Sequence, residues 1–148
     1  MKRYLSIMLC VIVLFSLSSA TFAAERKNVI YYSETVLDCG ITVVDEIIDC
    51  SPARATDKTF TRTNTFKDGD TVIAIVAVRA TFRYDGTTVS VVSKSVVQSD
   101  TYNGWNYKQT SFTSSGGTVT LNAKLTKLLV FNNPFTITLS CDKNGNIT

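Results

Sequence analysis

The chain contains no histidine. That absence excludes Ser-His-Asp and Cys-His catalysis, histidine-ligated zinc and the usual proton carrier near neutral pH. Long hydrophobic runs are also missing after residue 24. The longest, VIAIVAV at 72–78, has a strand's length, whereas a membrane-spanning helix needs about 20 apolar residues. No helical stripe of apolar side chains is sustained anywhere beyond residue 28. A strong charge bias is absent as well. Of 15 basic and 12 acidic residues, Lys2 and Arg3 fall in the N-terminal segment, so the remainder carries about one net positive charge. Such a balance gives no electrostatic case for nucleic acid as a partner, nor for charge-driven binding to an anionic membrane.

What is present begins with an export signal. MKRY supplies two cations, Leu5 to Leu17 is an apolar run interrupted only by serines, and small residues follow in SSATFAAE. Basic, apolar and small-residue regions in that order predict a secretory signal peptide over residues 1–24, with cleavage after Ala20, Ala23 or Ala24. Removing 24 of the 148 residues leaves 124, the size of one domain, at 25–148, with enough chain to bury a core. The expected product is secreted, extracellular and without a membrane span.

From Asn28 onward, β-branched residues alternate with polar ones, which predicts strands. NVIYYSETVL and ITVVDEIID flank a turn at DCG, and KTFTRTNTFK turns through DGD into TVIAIVAVRATFRY. Asp85-Gly86 is a hairpin signal leading to TTVSVVSKSVVQ. The aromatic stretch follows, then TVTLNAKLTKLLVF, a turn at NNP and FTITLSC. In TVTLNAKLTKLLVF, Lys127 interrupts the apolar alternation and predicts a bulge near Thr126. About eight strands at this spacing predict an all-β fold, an antiparallel β-sandwich of Ig-like or Greek-key type, with a closed barrel as the alternative.

Cys39, Cys50 and Cys141 remain after the leader, an odd number for an exported chain. A straight strand over 41–49 would hold Cys39 and Cys50 roughly 30 Å apart, too far for a disulfide. Cys141 paired with Cys39 or Cys50 is easier to build, and Cys50–Cys141 is the candidate disulfide. No thiol has a histidine to act as its base. Asp45 and Asp49 share a strand face and are the carboxylates a glycosidase-like hydrolase would need, although a solvated acidic face explains them more simply. DKNGNIT begins like a calcium loop, but Gly145 is one place early and no closing glutamate follows. Neither a metal nor a cofactor is expected.

TFRYDG at 81–86, the hairpin after it and TLSCDKNGN at 138–146 resemble a family of small secreted β-rich proteins from Gram-positive, Clostridia-like bacteria. Members share a TFxYNG turn and a final strand ending TLTCDKNGN. The resemblance covers residues 55–148 and implies a secreted β-rich domain, with no activity attached to it. Members often carry a cysteine shortly after the turn, where this chain has Val89 and Val91, so the family's pairing does not transfer.

The candidate ligand site is SDTYNGWNYKQTSF at 99–112, which holds the only tryptophan. Tyr102 lies in a loop, and Trp105 and Tyr107 point the same way along a strand. Asn106 flanks them. Rings and amides together suit a sugar; alternatively Trp105 caps the end of the sandwich and the tyrosines cover its rim. The expected function is a non-enzymatic extracellular binding protein for a glycan or a protein. A secreted toxin or bacteriocin-like factor and a carboxylate-dependent hydrolase are the alternatives.

Overall fold

In the computed structural model, which describes residues 28–52, 56–128 and 130–148, the alternating segments all become strands. They are β1 (Asn28–Val36), β2 (Ile41–Asp49), β3 (Lys58–Asp68), β4 (Thr71–Tyr84), β5 (Val89–Thr101), β6 (Trp105–Ser115), β7 (Thr118–Lys127) and β8 (Phe131–Ser140). The expected signal peptide at 1–24 lies outside the described residues. No helix among the described residues is long and apolar enough to cross a membrane.

Two antiparallel sheets result, ordered β1-β2-β3-β4-β5 and β6-β7-β8. The sheets do not close on one another, so the fold is a sandwich and not a barrel. Its connectivity differs from the Greek key expected from strand spacing. Every strand pairs with its neighbour in sequence, giving two meanders joined once. Short turns after almost every strand produce this order, because a two- to four-residue link returns the chain beside the strand it just left.

The joint between the layers is Tyr102-Asn103-Gly104. Thr101 still pairs with Ala74 in the first sheet, whereas Trp105 opens the second opposite Lys127. Asn103 and Gly104 both take positive φ, 56° and 78°, and the Trp105 amide donates to the Tyr102 carbonyl at 3.1 Å. Two successive left-handed residues closed by that bond make a turn that Asn-Gly adopts with little strain. The Tyr102 amide donates to the Ile73 carbonyl at 2.9 Å, tying the joint to β4.

Alternation sets the core. Ala74, Val76, Val78, Ala80 and Phe82 of β4 meet Val119, Leu121, Ala123 and Leu125 of β7 and Ile137 and Leu139 of β8 between the layers. Burying a side chain the size of Phe82 or Leu121 contributes about 1.5–3 kcal/mol. The three-stranded sheet covers β3, β4 and β5, and the inward face of β2 is still buried through Ile41 and Ile47, whereas β1 overhangs and is exposed along almost its whole length. At that margin Arg62 grips Asp45 through Nε at 2.9 Å and Nη2 at 2.5 Å, donates to the Thr138 carbonyl and lies 5.8 Å from the centre of the Tyr31 ring. One side chain thus spans both layers where apolar cover ends.

Two local expectations are corrected. The bulge expected near Thr126 is absent, since β7 pairs in unbroken register with β8 through Lys127; the irregularity lies on β6, between Gln109 and Ser111. Lys127 needs no bulge, because its Nζ sits 5.7 Å over the Trp105 ring. The expected turn at NNP is not one: Asn132, Asn133 and Pro134 belong to β8, which begins at Phe131 soon after β7 ends at Lys127. β8 is an edge strand, where a proline's missing N–H costs no ladder bond.

Candidate functional site

The YNGWNY stretch is divided by the sandwich. Trp105 is buried at 6% exposure, Tyr107 is half-buried, and Tyr102 and Asn106 are exposed. Trp105 and Tyr107 do point the same way, but inward, Trp105 against Phe131 at 5.9 Å between ring centres and Tyr107 against Phe135 at 6.4 Å. Asn106 lies on the opposite face of the strand. Burial also holds the Tyr107 hydroxyl above its ordinary pKa. The expected exposed trio of rings is therefore not assembled: Trp105 and Tyr107 turn toward the core, and the β6 bulge beyond them brings Phe112 into the same inward row. The indole N–H of Trp105 is buried with no protein acceptor in reach, a state that costs about 1–3 kcal/mol.

The candidate disulfide is not formed, and Cys39, Cys50 and Cys141 are all free. Cys50 follows β2 on the side of its sheet facing away from the other layer. Cys141 follows β8 and is buried in the core, where burial raises its thiol pKa. A five-stranded sheet stands between them. Asp45 is not part of a solvated acidic face either, being buried against Arg62. Asp49 turns aside to accept from the Ser51 amide at 2.8 Å, so the two carboxylates do not share one site. Asp142 accepts from the Asn144 and Asn146 amides and from the Asn146 side chain at 2.7–2.9 Å, forming a turn. Those bonds, the Asn146 side chain first, hold its carboxyl below the ordinary pKa. Among the described residues no group of three or more Cys, Asp or Glu is placed to hold a metal.

Alternation on the other side of the first sheet builds a feature that the sequence reading missed. In KTFTRTNTFK every second residue from Thr59 to Thr65 is threonine, and all four face away from the core. This outer face holds a concavity. A groove of about 730 Å³ crosses all five strands, lined by Asn28, Ile48, Thr61, Arg79, Val97 and Gln98 among others. Cys50 stands in the same groove, its Sγ 3.4 Å from the Thr61 hydroxyl. Arg79 reaches the same hydroxyl from the other side, Nε donating at 3.1 Å.

Arg79 differs from the other described arginines. Arg62 is paired with Asp45, and Arg83 with Asp57 at 2.8 Å. Arg79 has no carboxylate partner among the described residues. Its exposed guanidinium sits on a floor of hydroxyls and an amide, with Val97 and Ile48 as apolar sides. Val97 enters the groove because it is the extra residue of a β5 bulge, opposite the Ala77–Val78 step. The regular threonine spacing was a visible signal of a polar outer face; the concavity and the unpaired state of Arg79 were not.

The two segments that carry the family resemblance meet at the far end. The Gly86 amide donates to the Lys143 carbonyl at 2.9 Å, and a Cβ on Gly145 would lie 2.4 Å from the Tyr84 ring. Comparison of the chain with protein-family models, with curated proteins and with solved structures returned no match.

Proposed function

We propose that this chain is an exported, non-enzymatic binding protein whose ligand, an acidic oligosaccharide, lies in the groove across the five-stranded sheet. The observation that carries this reading is the Arg79 guanidinium, unpaired among the described residues, in a concavity of ligand size. Ligand pockets run from about 300 to 1,000 Å³. Arginine meets a carboxylate or sulfate with two parallel bonds, and Thr61, Thr63 and Gln98 beside it supply donors and acceptors for sugar hydroxyls. The reading keeps the expected class of partner, a glycan, and moves the contact from the aromatic stretch to the opposite layer.

The test is a panel of acidic and neutral oligosaccharides on the processed chain, with affinities measured by calorimetry. Acidic sugars should bind, and Arg79→Gln should weaken them by about tenfold to a hundredfold, the worth of a charged hydrogen bond. Tyr102→Ala should leave that affinity unchanged. Equal binding by the wild type and Arg79→Gln would sink the proposal.

A further inference from the structure

A second surface, on the other layer, has different chemistry. The turn joining β7 to β8 places Leu128 and Val130 almost wholly in solvent, at 82% and 78% exposure, with Phe131 at 49% beside them. Leu128 takes φ 53°, the left-handed region that a leucine enters only at a cost. An apolar side chain is thus displayed by a backbone that disfavours it. Tyr102, 43% exposed, occupies the β5–β6 joint at the same end of the sandwich.

Three further observations bear on what covers this tip. Lys127 and Phe131 lie against the ring of Trp105, at 5.7 and 5.9 Å, so the buried indole directly underlies the exposed residues. The indole N–H has no protein acceptor. Lys108 stands directly opposite Lys124 on the outer face of the same sheet, and like charges so placed repel unless an anion lies near. Exposed aliphatic side chains, an amphipathic indole and a fringe of lysines together match the boundary between anionic headgroups and acyl chains. The carboxylates at this end, Asp38, Asp68, Asp70 and Asp100, all belong to the strands and turns of the five-stranded layer. Their repulsion orients the approach so that the three-stranded layer enters first.

We infer that the β7–β8 tip docks this protein on the surface of an anionic phospholipid bilayer, with Leu128, Val130 and Phe131 entering the acyl boundary and Lys108, Lys124 and Lys127 meeting the headgroups. Peripheral attachment of this kind needs no spanning segment. It also differs from binding in the Arg79 groove, which belongs to the other sheet, so each proposal can fail alone.

Trp105 is the chain's only tryptophan and therefore reports on the tip. The experiment mixes the processed chain with vesicles of phosphatidylcholine and phosphatidylglycerol in equal parts, or of phosphatidylcholine alone. Co-sedimentation is measured together with quenching of Trp105 by brominated acyl chains. The mixed vesicles should bind and quench, pure phosphatidylcholine should bind more weakly, and Leu128→Asp with Val130→Asp should lower the partition coefficient about tenfold or more. Leu128→Asn, which suits the left-handed backbone, should weaken binding without loss of fold. Failure of the wild type to sediment would overturn the inference, and so would undiminished binding by both variants. A vesicle-independent dimer dissolved by the same substitutions would assign the tip to self-association and overturn it equally.

Discussion

At the residue scale, charged side chains in this protein are either consumed by a local partner or left conspicuously without one. Asp85 accepts from the Thr88 and Thr87 amides at 2.7 and 2.9 Å, which lowers its carboxyl pKa. Asp142 does the same work in the C-terminal turn. Both carboxyls titrate below their ordinary value of 3.8 in the folded chain. A depressed folded pKa contributes stability that is present above the unfolded value and lost as pH falls through the folded one. Below pH 3.8 the two turns should therefore loosen, and Asp142→Asn should flatten that part of the stability profile. Thermal unfolding followed at a series of acidic pH values checks this; an unchanged profile would mean that the bonds to Asn144 and Asn146 do not survive in solution. Both turns were legible beforehand, from Asp85-Gly86 and Asn144-Gly145; the carboxylate bonds that close them were not. The sequence read Asn144-Gly145 as a turn in preference to a calcium loop, which the bonds to Asp142 bear out, but it offered Asp45 as a solvated acid, and only the position of Arg62 decided otherwise.

At the scale of the element, strand identity was plain and phase was not. Segments such as ITVVDEIID and TVIAIVAVRATFRY became β2 and β4 over their whole length, because β-branched alternation has no competing helical period. Period-two reasoning fails at a bulge, which adds one residue and exchanges the faces beyond it. On β6, Thr110 is that extra residue between Gln109 and Ser111. Phe112 thereby joins Trp105 and Tyr107 on the inward face, although strict alternation sends it outward. Deleting Thr110 should restore even pairing with Phe112 still inward, opposite Leu121, and leave stability nearly unchanged, whereas Phe112→Ser should lose the burial of the ring. The cost should be about 1–3 kcal/mol, near the worth of burying a phenylalanine, read as a lower denaturant midpoint with rising exposure of apolar surface. A Thr110 deletion that exposed Phe112 would overturn this register. Pro134 misled in the opposite sense. The sequence places it in a turn, yet an edge strand accommodates it.

For the molecule as a whole, two layers of unequal width need a device at the uncovered margin, and Arg62 supplies it. Its guanidinium holds Asp45 in its own sheet and the Thr138 carbonyl in the other. With side chains 21% and 12% exposed, the pair is partly shielded from water. Breaking it from one side leaves an uncompensated charge, so Arg62→Ala should cost about 2–3 kcal/mol, below the range for wholly buried pairs. Arg62→Met combined with Asp45→Asn should recover most of that loss in chemical denaturation; no recovery would assign the effect to packing alone. A sandwich of about eight strands was legible from spacing, whereas the five-to-three division depended on where the YNG turn changes layer. The groove and the tip follow from that division, one on each sheet. Sequential pairing has a further consequence. A chain that emerges from the ribosome N-terminus first can zip its five leading strands, each against the one just released, before any later strand emerges. Until the last three arrive, one oily side of that half-built layer stays bare, and a chaperone or an aggregating neighbour has its opening there.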